Sequence, residues 1–154
     1  MKTAFSLLTA ILFTFTLSAQ TDFTGSWKLN SSKSKLGDQF SMAPKEIIIV
    51  QKGNDLSMEK HSEFQGQEFT INDKFTLDGK ECINDGFMDT QKKSTVSWSD
   101  DKKSLTIKSK IPMQDGGEIS ITEAYKMDGG NLVIEMNSTS SWGDMAETQV
   151  FDKK

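Results

Sequence analysis

The sequence predicts an all-β fold, an antiparallel up-and-down meander barrel of eight to ten strands. Strand-like runs of five to ten residues rich in Ile, Val, Phe, Thr and Trp fill the chain after residue 20. Gly, Asn and Asp clusters separate those runs, and no stretch with helical period lies between them. Short turns join antiparallel neighbours, and so long a ribbon leaves two open edges unless it closes on itself. Closure into a barrel removes both edges.

The first 19 residues stand apart. Lys2 precedes an apolar run from Ala4 to Leu17, and Leu17-Ser18-Ala19 ends on a small residue before Gln20. This is the layout of a secretory signal peptide cut between Ala19 and Gln20. A membrane span needs about 20 apolar residues, whereas Ala4 to Ala19 is 16. With Gln20 rather than Cys after the cut, no thiol is present to carry a lipid. The expected product is periplasmic or secreted, without a membrane anchor. Removing 19 of 154 residues leaves 135, which suits one domain over 20–154.

The predicted strands are Gly25–Asn30, Glu46–Gln51, Asp55–Glu63, Glu68–Leu77, Lys80–Ile83, Lys93–Ser99, Ser104–Ile111, Glu118–Met127, Leu132–Asn137 and Met145–Phe151. Gly53-Asn54 and Asp78-Gly79 suit tight hairpins, because both dipeptides tolerate positive φ. Ser99 to Lys103, Asp115-Gly116-Gly117 and Asp128 to Asn131 read as longer hairpin loops. Ser31 to Pro44 is polar and Lys/Ser-rich, a long loop expected to cross or flank one mouth.

Alternation assigns the inward face. Phe69, Ile71, Phe75 and Leu77 share one face of their strand, as do Ile119, Ile121, Tyr125 and Met127 of theirs. Leu105, Ile107 and Ile111 form a third face, and Leu132, Ile134 and Met136 a fourth; Val96 with Trp98 and Leu56 with Met58 complete the set. Ile47-Ile48-Ile49-Val50 is apolar on both faces, so its strand is expected to be central or covered outside by the Ser31–Pro44 segment. Three charges interrupt these faces: Asp73, Glu123 and Lys60. Each sits either at a rim in bulk water or in a wet cavity, where it would orient a ligand's polar group. In the cavity reading, Glu123→Leu should stabilise the protein and weaken ligand uptake.

Composition narrows the functions. The mature chain carries 17 Lys, no Arg and 22 acids, a net charge of −5, which disfavours binding a phosphate backbone; no nucleic-acid partner is expected. Cys82 is the lone cysteine, so no internal disulfide forms, and it reads as a small, partly buried side chain. His61 is the lone histidine, and no ligand pair has metal-binding spacing. Neither Ser62 nor Cys82 sits in a nucleophile-elbow context. No enzyme, metal or cofactor is expected.

Gly25-Ser26-Trp27 on the first strand resembles the Gly-x-Trp signature of lipocalins and the wider calycin group. The longer text is similar to small secreted bacterial lipocalin-like domains in Gly25-Ser26-Trp27-Lys28-Leu29-Asn30, Lys33-Ser34-Lys35-Leu36-Gly37, Thr76-Leu77-Asp78-Gly79-Lys80, Lys93 to Trp98 and Val150 to Lys154. The resemblance implies a lipocalin-like barrel with Trp27 plugging its closed end. It departs from true lipocalins in having no Arg near the chain end to stack on that Trp.

The resulting expectation is an exported, non-enzymatic protein that binds a small hydrophobic or amphipathic molecule inside the barrel. The lining candidates are Phe69, Ile71, Asp73, Phe75, Trp98, Ile121, Glu123, Tyr125 and Met136. The alternative is a packed, ligand-free barrel acting through its surface as an inhibitor or assembly partner of another exported protein. A carrier requires a void of some hundreds of Å³, a surface module a filled interior.

Overall fold

The computed structural model describes residues 19–38, 40–86, 89–114 and 116–154. The signal-peptide expectation falls almost entirely outside them, as does Asp115. Ten strands follow in order: β1 Gly25–Leu29, β2 Glu46–Lys52, β3 Asp55–Phe64, β4 Gln67–Thr76, β5 Cys82–Asp85, β6 Gln91–Trp98, β7 Ser104–Pro112, β8 Glu118–Asp128, β9 Asn131–Ser140 and β10 Gly143–Lys153. They form one antiparallel sheet in the order β4-β3-β2-β1-β10-β9-β8-β7-β6-β5.

Left-handed residues make the tight turns. Gln65 (φ 51°) with Gly66 (φ 80°) joins β3 to β4, and Gly129 (φ 54°) with Gly130 (φ 88°) joins β8 to β9. Two successive positive φ values twist a hairpin in the same sense as its strands.

The chain ends pair with each other. Trp27 stands opposite Lys153 and Leu29 opposite Phe151, so the first and last strands are joined by a full ladder. The seam lies mid-chain, between β4 and β5. Asp78-Gly79 turns the chain there without making the predicted hairpin, because no ladder joins these two strands. Side chains stitch the seam instead. Asn84 Oδ1 accepts from Lys74 N (2.8 Å) and Asn84 Nδ2 donates to Lys74 O (3.0 Å), so one amide replaces a strand residue. Thr76 N donates to Cys82 Sγ at 3.2 Å.

One end is filled. Phe23 is fully buried there, stacked on Trp98 (6.0 Å, 13°) and edge-on to Tyr125 (6.4 Å). Its carbonyl accepts the Trp27 Nε1–H at 2.9 Å. Thr21 N reaches across to Lys102 O in the β6–β7 loop. Trp27, Ile47, Ile49, Leu56, Met58, Phe75, Leu105, Ile107, Leu132, Ile134 and Phe151 join these rings in one core.

The segment between β1 and β2 rims the other end. Beyond a turn over Ser31–Lys33, Lys35 pairs with Thr148 on β10, and Phe40 packs edge-on against Phe64 at the tip of β3 (5.8 Å). The segment therefore flanks the mouth. It leaves the outer face of β2 uncovered, since Val50 is exposed while Ile47 and Ile49 are buried inside. Of the two alternatives expected for β2, the outer cover is corrected by the exposed Val50, while the strand does lie inside the sheet, between β1 and β3.

The seam yields a prediction. Asn84→Ala removes two backbone substitutes and should accelerate hydrogen exchange at the Lys74 and Thr76 amides while lowering stability by about 1–2 kcal/mol. Exchange measured residue by residue checks it; unchanged protection at Lys74 would show that the seam is held otherwise.

Candidate functional site

The inner wall changes character along the barrel axis. Below, it is aromatic and aliphatic; above, it is charged and hydroxylic. Lys60 on β3 and Glu123 on β8 stand five places apart in a ring of ten strands, on opposite walls. Lys60 Nζ nevertheless lies 2.7 Å from Glu123 Oε1, so this ion pair spans the lumen. Tyr125 Oη donates to the same oxygen at 3.1 Å. Asp73 on β4, 2% exposed, receives Lys92 Nζ from β6 at 2.5 Å, bridging the seam above Asn84. Ser94 and Ser109 share a buried hydrogen bond of 2.8 Å.

On β10, Glu147 and Gln149 point inward, in phase with Phe151, and both are buried. Glu147 accepts from Gln149 Nε2 (2.8 Å) and from Gly37 N of the rim segment (3.0 Å). Gly37 suits this contact, because a Cβ there would stand 2.1 Å from the Phe40 carbonyl oxygen.

Burial alone would neutralise these groups, yet the charges hold one another ionised. Burial acts first to lower the Lys60 ammonium's pKa, but Glu123, Tyr125 and Asp73 outweigh it and keep the pKa above its usual value. Burial likewise raises Glu123's pKa, and Lys60, with Lys92 and the Tyr125 hydroxyl, brings it below 4.5. Burial and the Glu123 charge push the Tyr125 phenol up.

The candidates from sequence separate by height. Asp73, Glu123, Tyr125 and Met136 are brought together in or beside the charged belt, and Ile71 and Ile121 lie above it, half-buried. Phe75, Trp98 and Trp27 belong to the packed lower end. The buried Trp98 Nε1–H meets no acceptor among the described residues. Phe69 departs from expectation: it keeps inward parity but is 46% exposed, because Gln67 to Thr70 are open on both faces at the hairpin tip. The rim position expected for the charges is corrected too. Lys60 and Glu123 keep only 13% and 15% of their side chains exposed. Lys153 Nζ lies 5.5 Å over the Trp27 ring, supplying the cation that the missing Arg left unassigned.

A cleft of about 430 Å³ lies outside the lumen, lined by Lys28, Glu46, His61, Glu68, Phe69 and Lys154 among others. Its charges are largely paired: Lys154 with Glu46 at 2.6 Å, and Lys45 with Glu63 and Glu68. Among the described residues no three His, Cys, Asp or Glu converge to hold a metal ion.

Sequence reasoning missed Lys92, Glu147, Gln149 and Phe23. Parity with Ser94 and Val96 marks Lys92 as inward, and parity with Phe151 marks Glu147 and Gln149, so the signal was present for three of them.

The spanning pair reverses one expectation. Glu123→Leu strands Lys60 and should cost about 3 kcal/mol, whereas Lys60→Met with Glu123→Leu should return most of that loss. Since Glu123's folded pKa lies below its unfolded value, its contribution is present above pH 4.5 and lost as pH falls through the folded pKa. Lys60, raised when folded, contributes below pH 10.5 and loses this as pH rises through its folded pKa. Urea unfolding across pH should therefore show a wild-type acid limb steeper than that of the double variant. Parallel limbs would remove Glu123 from the acid transition.

No family model and no curated protein matches the sequence. Solved structures similar to the chain include two from animals. Zebrafish ileal bile acid-binding protein complexed with cholic acid aligns at a TM-score of 0.59 and 18% identity, over 86% of this chain and 98% of that one. Caenorhabditis elegans lipid binding protein 8, without ligand, aligns at 0.59 and 14% identity, over 86% and 95%. The likeness is one of fold: a ten-stranded, nearly closed antiparallel barrel.

Proposed function

We propose that this chain is an exported, non-enzymatic lipocalin-like protein that binds a small amphipathic molecule in the upper barrel. The signal-peptide layout of residues 1–19 supports export to the periplasm or beyond. The observation that carries the binding reading is the layering of the lumen. A charged and hydroxylic belt lies beneath a mouth whose rim holds Phe40 (47% exposed), Phe64 (50%) and Trp142 (71%). Exposed aromatics gathered at one end mark a contact site for apolar surface. A ligand's apolar body would meet Phe64, Phe69, Ile71 and Ile121, and its polar end would meet the belt. The fold likeness to a bile acid-binding and a lipid-binding protein agrees with this reading without assigning a ligand.

A second reading has its own observation. The Lys60–Glu123 pair and the continuous core beneath it fill the lower lumen, as a surface-acting module would require. Native mass spectrometry of the protein purified from its own host separates the two. The expected spectrum starts at Gln20 and carries a non-covalent small-molecule adduct, and amphiphiles added below their micelle concentrations should change Trp142 or Trp27 emission. A bare mass with unaltered emission across cationic, neutral and anionic amphiphiles would leave only the surface module.

A further inference from the structure

The belt is not neutral. Among the described inward side chains it holds Lys60 and Lys92 against Asp73, Glu123 and Glu147. Both ammonium groups are taken, by Glu123 at 2.7 Å and by Asp73 at 2.5 Å. Glu147, 4% exposed, takes part in no ion pair within the described structure, and its hydrogen bonds come from neutral donors, Gly37 N and Gln149 Nε2. A buried carboxylate without a cation is costly. Two oxygens offer about four acceptor positions, so these two bonds leave capacity for more donors.

The neighbours of Glu147 make this capacity usable. Glu147 pairs laterally with Met136, which pairs with Glu123, so two carboxylates flank one thioether on the same wall, about 10 Å apart at the usual strand spacing. Only the one nearer the rim segment lacks a counter-ion. Its contact with Gly37 ties it to the rim segment.

Resting on the amphiphile reading above, we propose that the upper lumen accepts a cationic amphiphile, with Glu147 receiving its ammonium group. An ammonium head adds the missing positive charge and donates to the free acceptor positions of Glu147. A carboxylate or sulfate head would find both lysines engaged and would add a fourth negative charge to the belt. A neutral hydroxyl head gains hydrogen bonds but no charge compensation.

The test titrates the purified full-length exported protein with decylammonium, decanol and decanoate at neutral pH below their micelle concentrations, by calorimetry. Decylammonium should bind about tenfold or more tighter than decanoate, with decanol between them. Glu147→Gln, which keeps the shape and an acceptor for Gly37 N and can donate to the Gln149 amide oxygen once that amide turns over, should bring decylammonium to the level of decanol, with its urea midpoint recorded to show folding. Decanoate binding as tightly as decylammonium in the wild type would overturn the proposal without any variant, and so would a preference unchanged in folded Glu147→Gln. Decanol and decanoate binding while decylammonium does not would sink this inference alone. Binding of none of the three would remove the amphiphile reading along with it.

Discussion

Charge placed inside a closed barrel must find its counter-charge inside, and that constraint organises this molecule. Lys60 and Glu123 sit on opposite walls, yet their side chains meet in the lumen. The pair sets how much of the section at that height is occupied. It also divides the interior: beneath it apolar side chains pack into one core, and around it the wall carries serines, Asp73, Lys92 and Glu147. Removing water from either member alone would be prohibitive, so each holds the other in its charged form. Tyr125 reaches up from the packed layer to the shared carboxylate and ties the two halves together.

Barrel closure rests on a similar substitution of side chains for what the backbone leaves unmade. The ladder between β1 and β10 closes the ends of the chain, and this displaces the unpaired edges to the middle of the sequence. There Asn84 presents an acceptor and a donor to one residue of β4, mimicking a strand, and the Asp73–Lys92 pair spans from β4 to β6 above it. An exposed strand edge invites pairing with other chains. Occupying it with an amide and an ion pair blocks that without a covalent link, consistent with a chain that has one cysteine.

Much of the fold was legible because its information is local. Period-two alternation and left-handed turn residues found all ten strands, with β5 displaced by two residues and β9 and β10 running on to meet in a tighter turn. Local chemistry could say that Asp78-Gly79 turns the chain but not which strand lies beside β4 afterwards, since partner choice depends on closure. The inward charges were visible by parity; their partners were not. Lys60 and Glu123 are 63 residues apart, and their meeting depends on the tilt and stagger of the strands. Phe23 escaped because it precedes the first strand, where no alternation marks it. Phe69 misled because parity fixes a face but not whether neighbours extend far enough to cover it.

The two similar structures share the architecture at identities of 18% and below, and architecture of this kind hosts many contents. What distinguishes this chain is the division of labour along its axis. Without disulfides, stability has to come from packing, and the lower barrel concentrates it: Phe23, Trp27, Tyr125 and Phe151 are all essentially excluded from water. That concentration relieves the upper barrel of the need to be apolar. Polar groups there cost stability, and they persist in a layer with its own internal compensation, incomplete by one carboxylate. A fold selected for stability alone would have little use for Glu147 under a rim of exposed aromatics, and the proposed amphiphile site would use both.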